Sequence, residues 1–424
     1  YHLFFQHNPY RRYPGRSSWG HAVSSDLMHW RQLPAALPPD SKGDAWSGSA
    51  VVDWENTSGL HLLGKEPPMV ALFTNNPDRG EEIRPFEQRL AFSHNRGRTW
   101  SRLPGAAVPT WPCSRQSGTE CPYARDPKVS WHEATQRWVM ALWLHNYTYA
   151  LLASENLRSW RQLQEVKVVV PGNRECPDFF PLTFNNEVHW VLWTAGGKYL
   201  LGSFDGARYR PAGRPRSAEY GTGYAAQTYS HEPRNRRVQI SWLRHCVWDG
   251  VQFSQQMSTP VELDLVLLPD GLHVRRRPVA EVLELRMLPP LLSRRSVALV
   301  PGEPVRLQTS GLGLGIDVRL RVRMQPFASV AITIFGVEIE VAVSAELQAT
   351  AKALGDYHPP KPYFNAPRNL PLHLGADQVI EVCVLVDRRS LEVFDMRGKA
   401  SMALCGPLPC DAQEGLWRRD IELA

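Results

Sequence analysis

No run of apolar residues in this 424-residue chain approaches the ~20 needed to cross a bilayer as a helix, so neither a helical membrane protein nor a membrane partner is expected. Long helical patterns are few. No C-x-x-C pair occurs, which argues against a structural zinc site, and no histidine cluster suggests any other metal or cofactor. Basic charge is not concentrated: the net +6 comes from scattered arginines. Arg275-Arg276-Arg277 and Arg294-Arg295 read as solvated surface rather than a nucleic-acid stripe. The seven cysteines are an odd number. Cys113 with Cys121 and Cys405 with Cys410 are close enough in sequence to bridge within single loops. Such bridges suit an oxidising compartment and favour a secreted protein. Asn56-Thr57-Ser58 and Asn146-Tyr147-Thr148 fit the glycan acceptor pattern. No Asp precedes Asp26 and no Glu precedes Glu55. The chain opens on Tyr1-His2-Leu3-Phe4-Phe5-Gln6, already strand-like and without an initiator Met, so a sequence truncated at its N-terminus is expected.

What is plentiful is Trp (15), Pro (35) and Gly (30), a composition of β-structure with many turns and with aromatic faces that can stack on sugars. Strand-like runs recur: Ala50-Val51-Val52, Met69 to Phe73, Trp138 to Trp143, His189 to Trp193 and Val238 to Leu243. Each is rich in β-branched and aromatic residues and bounded by Gly, Pro or Asn. Ser25-Asp26-Leu27-Met28-His29-Trp30, Ser93-His94-Asn95-Arg96-Gly97-Arg98-Thr99-Trp100 and Ser154-Glu155-Asn156-Leu157-Arg158-Ser159-Trp160 repeat one another. Their tryptophans are 70 and 60 residues apart. A turn followed by a packed Trp, once per unit, predicts radial repetition in a β-propeller with long loops, since common propeller repeats run ~40–50 residues. Repetition marks these tryptophans as structural. Arg275 to Leu288 reads as an amphipathic connector ending at Pro289-Pro290. Beyond it, Val318 to Met324 and Val337 to Val343 alternate strictly, the pattern of a sheet wet on one face. The fold class expected is therefore all-β: a propeller over 1–285, a linker over 286–293 and a β-sandwich over 294–424. Ala349 to Gly375, with five prolines, reads as a long surface loop.

Two stretches carry candidate chemistry. Ala124-Arg125-Asp126-Pro127 and Glu175-Cys176-Pro177-Asp178 box charged residues between prolines and apolar runs, fixing them at the mouth of a β-structure. Splitting a glycosidic bond needs one carboxyl group that protonates the leaving oxygen and others ionised around the ring.

Eight motifs in order resemble glycoside hydrolase family 32, the β-fructofuranosidases of invertase, inulinase and levanase type. Six of them are Trp19 to Leu27, Trp46-Ser47-Gly48-Ser49-Ala50-Val51, Arg125-Asp126-Pro127, Glu175-Cys176-Pro177, Tyr224 to Thr228 and Met257 to Leu263. The opening Tyr-His-Leu-Phe strand and Asp387 to Phe394 complete the set. The resemblance implies a five-bladed propeller joined to a β-sandwich and a retaining hydrolase that releases β-D-fructosyl units from sucrose, inulin or levan. Its partner is thus a small-molecule or polysaccharide fructoside. It also implies that Glu175 is the general acid/base, that Asp126 holds two ring hydroxyls, that Arg125 orients the acids, and that Gln6, Trp46 and Ser47 line the fructose subsite. The chain departs from the family at the nucleophile, which lies in an Asn-Asp-Pro-Asn motif just before the strand that here begins at residue 1. The first blade is then expected to lack its innermost strand, and the chain to be inactive as given. Two other functions fit parts of the sequence: a lectin-like fructan-binding pseudoenzyme, and a sialidase-like propeller, whose Ser-x-Asx-x-Gly-x-Thr-Trp box matches Ser93 to Trp100 but which gives Glu175 no role. Transfer of the fructosyl group to a sugar instead of water also remains open.

Overall fold

The structure, a computed structural model, describes residues 1–11, 15–77, 85–108, 123–169, 174–244, 246, 253–286, 289–290, 293, 295–300, 305–308, 315–334, 337–354, 369–387, 389–405 and 420–423. Four antiparallel sheets follow one another in chain order. The first has three strands, β1 (His2–His7), β2 (Ser18–Val23) and β3 (Arg31–Leu37). The second has β4 (Asp44–Val52), β5 (Met69–Asn76), β6 (Glu87–Ser93) and β7 (Ser101–Arg102). The third has β8 (Arg125–His132), β9 (Arg137–His145), β10 (Thr148–Ser154) and β11 (Arg161–Lys167). The fourth has β12 (Asp178–Phe184), β13 (Glu187–Thr194), β14 (Lys198–Phe204) and β15 (Tyr209–Ser217). After the short β16 (Glu219–Gly221), a fifth sheet orders β17 (Gly223–Thr228), β18 (Arg237–Leu243), β20 (Val261–Leu268) and β21 (Gly271–Pro278), with β19 (Gln256–Met257) beside β18.

The remaining strands are β22 (Val305–Gln308), β23 (Ile316–Arg323), β24 (Ser329–Ile334), β25 (Val337–Val343), β26 (Ala349–Leu354), β27 (Asn369–Leu372), β28 (Val379–Val386), β29 (Ser390–Asp395), β30 (Ser401–Cys405) and β31 (Asp420–Leu423). They form two sheets, β16-β30-β29-β28-β23 and β22-β31-β24-β25-β26-β27. These are the sheets of a five-bladed β-propeller followed by a β-sandwich. The chain divides into two compact units, Tyr1–Arg216 with Ala225–Gln239, and Ser217–Tyr224 with Ile240–Ala424.

In the first unit the repeated turn explains the repeated sequence. Asp26 Oδ1 accepts the backbone N–H of Met28 and His29 (2.9 and 2.8 Å), and Asn156 Oδ1 accepts those of Arg158 and Ser159 (3.0 Å each). Asn95 Oδ1 accepts that of Thr99 (2.9 Å). Such Asx turns suit Asp and Asn because the short side chain mimics a backbone carbonyl. The following indole N–H then donates back three residues: Trp30 to Leu27 O (2.8 Å), Trp100 to Gly97 O (2.9 Å) and Trp160 to Leu157 O (3.0 Å). A fourth copy, not evident from the sequence, joins β14 to β15. There Asp205 Oδ1 accepts from Ala207 and Arg208 (2.9 and 2.7 Å), and Tyr209 stands where the others have Trp. In every copy the turn precedes the last strand of its sheet. By this marker β1 matches β5, β9 and β13, and no described strand of the first sheet corresponds to β4, β8 and β12.

Between the blades lie continuous apolar layers. Val51, Val70, Leu72, Val129, Met140, Leu142, Leu152 and Leu157 fill the space between the second and third sheets. Phe179, Trp190, Leu192 and Phe204 meet Val139, Trp143 and Tyr149 between the third and fourth. The strands β4, β8 and β12, first in their sheets, are neighbours in space. What stands at their ends is therefore gathered together.

The second unit corrects four expectations. Arg275 to Leu288 is not a connector: β21 runs to Pro278, paired with β20, and a short 3-10 segment covers Ala280–Leu285. Nor is the arginine run wholly solvated. Strand alternation sends Arg275 and Arg277 to Asp264 (2.6 and 2.9 Å), while Arg276 turns to the other face and is 1% exposed. That buried charge is held by Glu219 at 2.9 Å. Arg295 is exposed, and Arg294 lies outside the described residues. Ala349 to Gly375 is not one loop either. Ala349, Ala351 and Ala353 are buried while Thr350 and Lys352 face water, a period-two pattern that makes β26, paired with β27. Pro371 is tolerated because β27 is an edge strand, and 355–368 lie outside the described residues. Finally, Cys405 is bonded to Cys246, 159 residues away with Cα atoms 5.4 Å apart, not to Cys410. Cys246 is buried against Leu243 and Ala403, which places it beside the end of β30. Cys113, Cys121 and Cys410 lie outside the described residues.

Candidate active site

The site residues sit where first strands begin, and two bulges aim them. In β8, Arg125 pairs with Trp143 and Lys128 with Ala141, so three steps on one strand oppose two on the other. Asp126 occupies the extra position with φ 65°. In β4 the same slip falls between Ala45 and Gly48, across Trp46 and Ser47. Bulges re-aim side chains out of the ladder, here in two neighbouring strands. Gly48 is required: a Cβ there would sit 2.0 Å from the carbonyl oxygen of Leu72. Ser49 Oγ then links the strands, donating to Pro127 O and accepting from Val129 N, both at 2.9 Å.

Asp126 is buried, and its surroundings account for each of its contacts. Its backbone N–H donates to Thr74 Oγ1 (2.9 Å), Thr74 donates to Gln88 Oε1 (2.7 Å), and Gln88 Nε2 donates to Ala124 O (2.8 Å). Its Oδ2 accepts the backbone N–H of Cys176 at 3.0 Å and the thiol at 3.4 Å. Arg125 Nε is 3.8 Å from the same oxygen. Burial raises the carboxyl to about 6, with the charge of Glu175 adding to it, while Arg125 and the Cys176 hydrogen bonds pull it down.

Glu175 and Cys176 are consecutive left-handed residues (φ 58° and 43°) ahead of β12. The turn is tied down by Ala195 N donating to Glu175 O (3.2 Å) and Gln227 Nε2 to Pro177 O (3.1 Å). At its foot, the buried Asp178 accepts Thr228 N (2.6 Å) and faces Lys128 Nζ (3.5 Å), which donates to Thr228 O (2.5 Å). Arg125 joins the two halves of the site: Nη2 and Nε donate to Glu175 Oε2 at 2.6 and 3.3 Å, and the guanidinium lies 4.1 Å over the Trp143 ring. Burial, and next Asp126, push the Cys176 thiol well above its ordinary range, so it stays a proton donor to Asp126. The Tyr149 hydroxyl below is raised as well, chiefly by burial.

The structure thus brings Arg125, Asp126 and Glu175 into one cluster. Gln6, Trp46 and Ser47 form a second group. Exposed Gln6 on β1 donates to Ala45 O (3.3 Å), and Trp19 Nε1 holds Trp46 O at 2.7 Å. Aromatic rings connect the groups, Trp46 to Phe86 and Phe86 to Tyr123, whose carbonyl accepts from Arg125 Nη1 (3.1 Å). Sequence reasoning missed Thr74, Gln88 and Trp143 and gave Cys176 no role. For Thr74 the available signal was a hydroxyl closing the apolar run Met69 to Phe73, whereas Gln88, between Glu87 and Arg89, gave none. The buried carboxylates Asp53 and Asp178 are engaged elsewhere, Asp53 by Thr57 and Ser58.

Two carboxylates thus meet one arginine at the starts of neighbouring first strands. The chain belongs to glycosyl hydrolases family 32: the family's N-terminal domain matches residues 1–274. It is 35% identical to a levanase of Bacillus subtilis over 314 residues, 68% of this chain and 44% of that protein. To the extracellular exo-inulinase of Aspergillus awamori it is 33% identical over 286 residues, 58% of this chain and 53% of the other. It spans about half the length of these curated relatives. The crystal structure of the Aspergillus awamori exo-inulinase superposes with TM-score 0.85 at 26% identity, covering all of this chain and 90% of that one. A fructofuranosidase from Schwanniomyces occidentalis complexed with fructose, at 23% identity and TM-score 0.80 over all of this chain and 89% of its own, shares the fold.

Proposed function

We propose that this chain is the fructosyl-binding and acid/base part of a retaining β-fructofuranosidase acting on sucrose or on fructans. The observation that carries the reading is the Arg125 bridge, which donates to Glu175 while standing beside the buried Asp126. Names support it too: similar proteins are called levanase and exo-inulinase, and one similar structure holds fructose. Glu175 gives its proton to the leaving oxygen and later takes one from water. Asp126, ionised above about pH 6, accepts two ring hydroxyls in charge-assisted hydrogen bonds. Arg125 positions Glu175, and Gln6, Trp46 and Ser47 line the sugar. The propeller takes residues 1–285 and the sandwich 294–424, joined by 286–293, and a secreted location suits the name of the extracellular relative.

A retaining mechanism also needs an attacking carboxylate ~5–5.5 Å from the acid/base. Asp26, the first acidic residue of the sequence, is committed to its turn, with Oδ1 on two backbone N–H groups and Oδ2 on His29 (2.7 Å). With Asp26 engaged in this way and Asp126 assigned to the ring hydroxyls, we infer that residues 1–424 alone bind fructosides weakly and turn over almost none. The test is calorimetry with fructose together with assays for fructose released from sucrose, inulin and levan. Binding kept in Glu175→Gln, with little release by either protein, is the expected result; absence of fructose binding, or brisk hydrolysis by the 424-residue chain, sinks the reading.

A further inference from the structure

Tyr123 is 44% exposed, yet its ring is not loose. Its edge meets Phe86 with centroids 5.6 Å apart and planes at 81°, and Phe86, only 5% exposed, meets Trp46 at 5.2 Å and 67°. Two successive edge-to-face contacts hold an aromatic ring in place while leaving part of its surface to solvent. The residue also stands next to the candidate acid/base: the guanidinium that accepts no proton itself donates Nη1 to Tyr123 O at 3.1 Å and Nη2 to Glu175 Oε2 at 2.6 Å.

The geometry points to Tyr123 as a stacking platform for sugar units on the leaving-group side, which makes a fructan chain, rather than a disaccharide, the preferred substrate. This rests on the fructoside reading above. The proton of Glu175 goes to the leaving oxygen, so whatever departs lies on the Glu175 side of the bond. By donating to both Glu175 and the Tyr123 carbonyl, Arg125 sets the backbone of residue 123 beside the acid/base. When one furanose fills the space beside Trp46, every further unit of a polymer must run along the rim. The C–H edges of the next ring find there an apolar face already immobilised, so ordering costs little on binding. A disaccharide reaches the platform with one ring at most, whereas an oligomer continues over it.

The test is calorimetry of the whole chain with fructose and with short inulin- and levan-type oligosaccharides. The wild-type chain is expected to bind an oligosaccharide more tightly than fructose. Tyr123→Ala should weaken the oligosaccharide about five- to tenfold and leave fructose unchanged, and Tyr123→Phe should restore it. Unchanged oligosaccharide affinity in Tyr123→Ala overturns the platform, as does an equal loss for fructose and oligosaccharide. Failure of the wild-type chain to bind fructose at all overturns the underlying fructoside reading, a separate result that removes the platform with it.

Discussion

Two sets of left-handed residues occur in the same four sheets, and they serve opposite ends. One set closes the Asx turns: Leu27, Gly97, Leu157 and Gly206, with φ between 61° and 88°. The other set, Asp126, Glu175 and Cys176, stands at the starts of first strands. In the turns, backbone strain is offset locally. Each Asx oxygen takes backbone N–H groups, each indole returns a hydrogen bond, and Leu27 and Leu157 are wholly buried. At the site the strain comes with a buried carboxylate whose partners do not compensate its loss of water, so its proton is held up to about 6. Strain matched by packing builds the fold, and strain matched by a poised charge builds chemistry.

The comparison breaks most severely at Asp126. Asp126→Asn should lower fructose affinity about a hundredfold, read by calorimetry, because a charged acceptor is lost. The same variant should melt higher than wild type at pH 7.5. A carboxyl whose folded value is raised from 3.8 to about 6 contributes most below pH 4 and loses that contribution as pH rises through 6. The gain amounts to at most ~3 kcal/mol and should vanish toward pH 4. A lower melting point at pH 7.5 would show that the site carboxylate stabilises the fold after all.

Leu157→Ala, on the structural side, removes a fully buried side chain from the layer between sheets and should cost ~3–4 kcal/mol in denaturant unfolding while leaving fructose affinity intact. Smaller still, Asn156→Ala deletes the acceptor for two backbone N–H groups and should cost ~1–2 kcal/mol, again without effect on binding. If either turn variant weakens fructose binding more than threefold, the division between the two sets fails. The mildest test changes only pH. Fructose affinity of the wild-type chain should fall about twentyfold from pH 7.5 to pH 4.5 as Asp126 takes up its proton, while this group's contribution to stability moves the other way. Parallel movement of affinity and of the Asp126-dependent stability contradicts the assignment.

Much of this was readable from residues alone, for reasons the structure makes plain. The hairpin device repeats in sequence because its hydrogen bonds depend on one Asx and one Trp at short range. The fourth copy hid because Tyr209 packs in the Trp position and donates its hydroxyl to Leu200 O instead. The sandwich strands announced themselves by alternation, as in Val337 to Val343. Arg276 misled because a triple arginine looks wet, and only the register against β20 shows that its middle member turns inward to Glu219. Arg125, Asp126 and Glu175 were found through short motifs, but Thr74, with Gln88 behind it, reaches Asp126 from the neighbouring sheet. Long-range register of that kind leaves no local mark. Cys246 and Cys405 likewise meet only through the fold.

That bond has a practical meaning for anyone handling the protein. Its two cysteines stand 159 positions apart in sequence. A protease that clips the backbone once anywhere inside the enclosed stretch will leave a species that migrates as one polypeptide on a denaturing gel, and two fragments will separate only after a thiol reagent is added.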